Sequence, residues 1–343
     1  MIRAKRVGNT GGFPLAAPLI NQSTNPQGAP RHGLTGAVTL GGLPTQKVPP
    51  MPARHVQRVI SGMPASDGAG VRLRRSLGRD DSARLDPFLM LDEIASDDAA
   101  DYIAGFPPHP HRGFETVTYM LEGRMRHRDH LGNEGLLRSG GLQWMSAAAG
   151  IIHSEMPEQE SGRLHGFQLW INLPAAEKMK APSYADIPAE RIPEASLPGG
   201  GTLRVLAGRW RGAGGPLDGP VQGISTAPLF LDLRLPAGAA LEIPVATDHN
   251  ALVYPYHGAL TLAGPGGLPT SLTRGEAGIL SQGDAVTLEA AEDAGALLLA
   301  ARPLGEPVVQ YGPFVMNSRE EIEQALRDYR EGRLAGTARA ERF

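Results

Sequence analysis

The sequence predicts an all-β protein, two tandem β-barrels in one chain followed by a single C-terminal helix. Three observations carry this. The 343 residues include 44 Gly and 30 Pro but only 5% aromatic residues, a turn-rich composition that favours short strands over long helices. Short runs of alternating apolar and polar residues recur between Gly turns through both halves, as strands of a sandwich or barrel do. The turn signals also repeat: Tyr256-His257-Gly258 stands in the second half where Leu121-Glu122-Gly123 stands in the first, and Gly283-Asp284 where Gly140-Gly141 stands. A length beyond the roughly 100–200 residues of one domain agrees with a duplication.

Residues 1–52 read as a disordered extension, because no sustained apolar period could offset the entropy of ordering them. No Asp or Glu precedes Asp67, so an organelle transit sequence is the alternative, with Met51 and Met63 as possible later starts. The first barrel is expected over 53–180. Val71–Leu77 alternates as a half-buried strand, and Leu85–Glu93 is an apolar core segment ended by acids. Glu115–Leu121 and Arg124–Asp129 pair as a hairpin about Gly123. Gly140–Met145 is a further strand, Gly150 turns the chain into the strand of His153, and Gly166–Leu173 is the longest apolar strand of this half. The charged, Pro-interrupted stretch from Pro174 to Ala195 crosses between halves. The second barrel, 181–343, takes its strands from Thr202–Ala207, Leu229–Leu235, Ala251–Tyr254, Gly258–Leu262, Glu276–Leu280 and Ala296–Ala300. Ser318 and Glu321 form a capping box; Ile322, Leu326 and Tyr329 share one helix face, and Gly332 stops the helix.

Chemistry concentrates between Gly105 and Pro157. His109 and His111 lie two apart, as do His153 and Glu155, so each pair points one way from a strand. On neighbouring strands they would form a pocket of three imidazoles and a carboxylate, a borderline site for Fe, Ni, Co, Cu or Zn with positions open for substrate. The chain has no cysteine, which removes disulfides, thiolate zinc sites and a Cys nucleophile together. The net charge of -3 gives no reason to expect nucleic acid. No apolar run approaches the roughly 18 residues of a membrane span and no signal peptide heads the chain, so a cytoplasmic protein is expected.

Phe106-Pro-Pro-His-Pro-His-Arg-Gly-Phe-Glu-Thr-Val-Thr-Tyr119, Leu142-Gln-Trp-Met-Ser146, Gly150-Ile-Ile-His-Ser-Glu-Met-Pro157, Gly166–Leu173 and Tyr311-Gly-Pro-Phe-Val-Met-Asn317 together resemble the pirin family of bicupins. The likeness runs from about Val59 to Leu334 and leaves the first fifty-odd residues unmatched. It implies two stacked cupin (jelly-roll, double-stranded β-helix) barrels and one metal, usually Fe(II), in the first, with ligands at His109, His111, His153 and Glu155. Bacterial members of the family resemble quercetin 2,3-dioxygenases, and animal members look like nuclear transcription co-regulators. The resemblance therefore implies an enzyme that opens a flavonol with O2, Glu155 acting as ligand and base, or else a metal-binding, redox-sensing regulator that contacts a partner enzyme or transcription factor. A monomer is what the family leads one to expect.

Glu115 is the competing carboxylate. If Gly123 fixes the register, Thr116 faces inward and Glu115 away, which favours Glu155. Gln143, Gln168 and His165 are candidates to hold the imidazoles from behind. His127, Asp129 and His130 read as a polar hairpin face, one of them at most bordering the pocket mouth. Trp144, Trp170, Phe167 and Met145 read as core, and Arg72, Arg74, Arg75, Arg79 and Arg84 as a solvated basic cluster. The second half offers only His249 and His257, too few for a four-ligand site.

Overall fold

The computed structural model describes residues 53–212, 214–334 and 341–342; the expected extension over 1–52 lies outside the described residues. Its strands through residue 187 are β1 (Val56–Ser61), β2 (Met63–Asp67), β3 (Val71–Leu77), β4 (Phe88–Ser96), β5 (Phe106–His111), β6 (Phe114–Glu122), β7 (Arg124–Asp129), β8 (Glu134–Arg138), β9 (Leu142–Ser146), β10 (Ile151–Pro157), β11 (Leu164–Asn172) and β12 (Ser183–Ile187). The large sheet of the first barrel runs β2-β3-β4-β11-β6-β9-β12, and β5-β10-β7-β8 form its small sheet. All these pairings are antiparallel. The crossing segment expected over Pro174–Ala195 thus contributes an edge strand, β12, paired with β9.

In the second barrel the strands Glu276–Leu280, Asn250–His257, Ala294–Ala301, Leu229–Leu235, Thr202–Ala207 and Glu194–Ser196 are neighbours in that order, and β1 joins the open edge beside Glu276–Leu280. The chain therefore lends a strand from before the first barrel to the second. Burial explains the loan: Val56 sits in the core of the second barrel and Ile60 in the core between barrels. Arg54, buried just upstream, donates to the carbonyls of Ala246 (2.7 Å), His249 (2.9 Å) and Ser281 (3.0 Å).

The two large sheets pack against each other. Val117, Tyr119, Phe167 and Leu169 share one cluster with Phe230, Leu252, Tyr254, Leu297 and Leu299. Since side chains alternate, the opposite face of β6 and β11 carries Thr116, Thr118, Gln168 and Trp170 into the first barrel. Buried carboxylates pin the contact between barrels. Asp232 accepts from Tyr119 Oη (2.6 Å) and Tyr256 Oη (2.5 Å), while Glu93 accepts from Tyr254 Oη (2.8 Å) and lies 2.9 Å from His165 Nε2. Each is buried with partners, as a low-dielectric interior requires.

After Ala301 the chain returns to the first barrel as a strap. Gly305 N donates to Asp86 Oδ2 (2.7 Å), Ala175 N donates to Glu306 Oε2 (2.7 Å), and Gln310 accepts from Arg84 (2.6 Å). Lys178 Nζ, buried, donates to the Gly113 carbonyl (2.6 Å), Asn172 Oδ1 (2.5 Å) and the Val315 carbonyl (3.0 Å). Gly113 has φ +91°, and a Cβ there would lie 1.9 Å from the Val315 oxygen, so the strap can approach only a glycine. Helix α1 (Arg319–Arg330) follows, with the expected capping box of Ser318 and Glu321. Ile322 and Ala325, with Leu326 partly buried, pack with Phe314, Met316, Leu334 and Ile152 of β10, so the helix sits on the first barrel. Tyr329 of the expected face stays exposed.

Candidate metal centre and its cavity

Alternation places the candidate ligands. β5 and β10 pair antiparallel with His109 opposite His153 and His111 opposite Ile151, and a bulge between His153 and Glu155 sets Glu155 opposite Phe106. The rings of His109, His111 and His153 stand 4.4–4.9 Å apart, centre to centre. Their ligand nitrogens all lie within 4.8 Å of one another. Among the described residues this is the one cluster of three such side chains arranged to hold an ion.

His111 is 2% and His153 1% exposed, and burial lowers both pKa values well below the ordinary imidazole range, with the neighbouring imidazoles adding to the effect. Both rings are therefore neutral with lone pairs to give. Buried His111 Nδ1, His111 Nε2 and His153 Nε2 have no hydrogen-bond partner. Orphaned buried nitrogens are costly, and convergent neutral imidazoles are a donor set that a divalent transition ion satisfies. The residues present fit such an ion. His109 Nδ1 lies 2.8 Å from the Pro107 carbonyl, which leaves its Nε2 for the cluster.

Glu155, 3% exposed, stands outside this close cluster and lines the same cavity. Gln168 Nε2 donates to its Oε2 (3.1 Å), and Thr118 Oγ1 lies 2.9 Å from its Oε1 and 2.6 Å from Gln168 Oε1. Thr118 has one proton for two acceptors. Glu115 takes the other face of β6, buried beside Trp144 and Ser146.

The cavity has a volume of about 710 Å³. His109, His111, Glu155 and Gln168 line it together with apolar Leu73, Met90, Ile94, Phe106 and Trp170, and the strap supplies Gln310, Gly312 and Pro313. Trp170, expected as core, is instead a wall of the cavity: its ring packs 4.4 Å from Phe114 and 5.2 Å from His111. Arg75, expected in a solvated cluster, also lines the cavity and grips Asp92 through two bonds (2.8 and 2.7 Å) and Asp67 through a third (2.7 Å).

Of the expected supporting residues, Gln168 reaches Glu155, whereas Gln143 bonds Tyr184 and Asp186, and His165 serves the contact between barrels. His127 was missed. It does not stand on an exposed hairpin face but is buried, its Nδ1 3.3 Å from His153 Nδ1. The signal was present, since His127 and Asp129 are a third pair two apart, on the strand flanking β10. Among the described residues the second barrel has no counterpart to this site: its core is mainly Leu, Val and Ala, His249 is buried at its margin and His257 is exposed.

Two packed barrels, one with a largely aliphatic core and one opening a cavity onto converging imidazoles, define a bicupin-type protein with a candidate metal centre in its first half. Two family models match the chain, Pirin over residues 70–171 and the Pirin C-terminal cupin domain over residues 230–335. The chain belongs to the pirin family. A Pseudomonas aeruginosa relative that carries a provisional quercetin 2,3-dioxygenase name is 53% identical over 282 residues, 82% of this chain and 98% of the relative. Human pirin is 41% identical over 268 residues, 77% of this chain and 88% of the relative. The crystal structure of a quercetin 2,3-dioxygenase from Acinetobacter baumannii is 32% identical with a TM-score of 0.74, covering 82% of this chain and 99% of that one.

Proposed function

We propose that this protein is a metal-dependent dioxygenase that opens the heterocyclic ring of a flavonol such as quercetin, with His109, His111, His153 and Glu155 holding a divalent ion, Fe(II) first among Fe, Ni, Co, Cu and Zn. The observation that carries this is the convergence of three imidazoles, with buried nitrogens of His111 and His153 left without hydrogen-bond partners, beside a cavity of about 710 Å³, a volume within the range of small-molecule sites. An ion bound there supplies Lewis-acid stabilisation of a phenolate-type oxygen and redox exchange with dioxygen.

The chain's own groups do the rest. Glu155 takes the proton of the flavonol 3-hydroxyl, with Gln168 and Thr118 holding its carboxylate in place. Leu73, Met90, Ile94, Phe106 and Trp170 receive the flat aromatic body and exclude water. In this reading the protein works as a cytoplasmic monomer. No described helix is long and apolar enough to cross a membrane.

Aerobic incubation of Fe(II)-loaded protein with quercetin, following loss of flavonol absorbance and release of carbon monoxide, tests the proposal. Turnover is expected in the wild type and not in His111→Ala. Absence of turnover by a wild type that binds iron, or equal turnover by His111→Ala, refutes it and leaves the metal-binding regulator with a protein partner as the better reading.

A further inference from the structure

Each of the three candidate imidazole ligands has a different group behind it. His109 has the Pro107 carbonyl at 2.8 Å. The His111 ring faces the Pro313 carbonyl without hydrogen-bond geometry. Behind His153 stands the imidazole of His127, Nδ1 to Nδ1 at 3.3 Å. Of the three, His127 alone is a side chain.

Two imidazole nitrogens facing each other share a single proton. If His127 held it, the proton of neutral His153 would sit on Nε2, the buried nitrogen that faces the cluster, and that nitrogen could not be a ligand. If His153 Nδ1 holds it, His153 Nε2 is free to bind, and the His127 proton sits on Nε2, which has no hydrogen-bond partner and lies 3.8 Å from the Asp129 carboxylate. The surroundings favour this second arrangement. Asp129 is fixed by the backbone N–H groups of Leu131 (2.9 Å) and Asn133 (2.9 Å) and by Asn133 Nδ2 (2.7 Å). The His127 ring stacks on Tyr184, centres 4.5 Å apart at 23°, and Gln143 Nε2 donates to Tyr184 Oη (3.0 Å).

We propose that His127 is a positioning residue: flanked by Asp129 and Tyr184, its Nδ1 accepts a hydrogen bond from His153 Nδ1–H and so leaves His153 Nε2 free for a divalent ion. This rests on the metal-site reading above. Outer partners of this kind typically change metal affinity about 10- to 100-fold.

Calorimetric titration with Ni(II) tests it in wild type, His127→Phe and His127→Gln. Phe keeps the ring against Tyr184 but offers no acceptor, whereas Gln restores an acceptor oxygen. His127→Phe is expected to bind Ni(II) about 10- to 100-fold more weakly, with His127→Gln recovering most of the loss. A folded His127→Phe that binds within about twofold of wild type, or His127→Gln no better than Phe, overturns the proposal while leaving the site intact. A wild type that binds no Ni(II) or Zn(II) overturns both. Should His127→Phe fail to fold, long-range proton–nitrogen NMR on the Zn(II)-loaded wild type decides. Protons on His153 Nδ1 and His127 Nε2 are expected, and a proton on His127 Nδ1 overturns the proposal.

Discussion

Arg112 follows the candidate ligand His111 directly and ties it to the C-terminal strap and helix. Its side chain, 4% exposed, donates to the Ala149 carbonyl (2.5 Å), to Asp328 Oδ2 of α1 (2.8 Å) and to the Leu334 carbonyl (3.5 Å). Its backbone N–H and carbonyl bond Pro313 and Val315. Arg112→Met keeps the stem and removes the guanidinium, leaving two carbonyls and Asp328 without it. Breaking a buried ion pair costs about 3–5 kcal/mol. Asp328 keeps Gln324 (2.7 Å) and Arg333 (3.7 Å), so the low end applies, about 3 kcal/mol. At about 2–4 °C per kcal/mol, the melting temperature should fall by about 6–12 °C. Scanning calorimetry on Arg112→Met, Asp328→Asn and the double variant is the assay. The couplings measured between contacting residues run to about 0.5–3 kcal/mol, and the upper half of that range is expected here. An Arg112→Met that melts within about 2 °C of wild type, or a coupling near zero, refutes the clamp.

Glu115 and Thr118 supply two further predictions. Burial pushes the Glu115 carboxyl from 4.5 to about 7, against the pull of Lys180 and of the nearby Trp144 and Ser146. Between these pH values the native state holds a proton that the unfolded chain has released, so stability falls as pH rises through that window. Glu115→Gln should gain up to about 3 kcal/mol above pH 7 and nothing below pH 4.5, by denaturant titration across pH; a pH-independent effect would contradict the burial argument. Thr118→Val deletes the hydroxyl beside Glu155 Oε1. If Glu155 is the base, kcat on quercetin should drop about tenfold, the worth of one hydrogen bond to a charged group, with Ni(II) affinity within a few-fold of wild type. An unchanged kcat would remove Thr118 from the chemistry.

The sequence was most legible where one residue period sets both structure and site. Val71–Leu77, Arg124–Asp129, Thr202–Ala207, Leu229–Leu235 and Glu276–Leu280 are strands with the bounds read from the sequence. The same period put His109 and His111 on one face, opposite His153. It also turned Glu115 away from Thr118, as the Gly123 register required. What stayed hidden depends on partners distant in sequence. Val56–Ser61, Val-Gln-Arg-Val-Ile-Ser, shows no regular alternation, and nothing in it points to its edge partner Glu276–Leu280. His127 looked like surface because Arg126 and Arg128 beside it are charged, yet alternation buries the residue between them. Arg75 looked solvated because the counter-charge that draws it inward, Asp92, sits on the next strand. Trp170 packs on one side and faces open space on the other, and apolar character alone does not separate a core side chain from a cavity wall.

The exchange of end segments has a consequence for dissecting the molecule. One half borrows its edge strand from ahead of residue 62, and the other borrows a wall, a cation clasp and a helix from beyond residue 302. A cut near residue 190 would therefore yield two incomplete pieces. The downstream piece would expose the unpaired edge of Glu276–Leu280, an invitation to intermolecular pairing. The upstream one would bury Lys178 without one of its oxygens and leave the imidazole pocket unroofed where Gln310 to Pro313 belong. The barrels look like two modules, but they hold each other's missing parts and should fold as one unit.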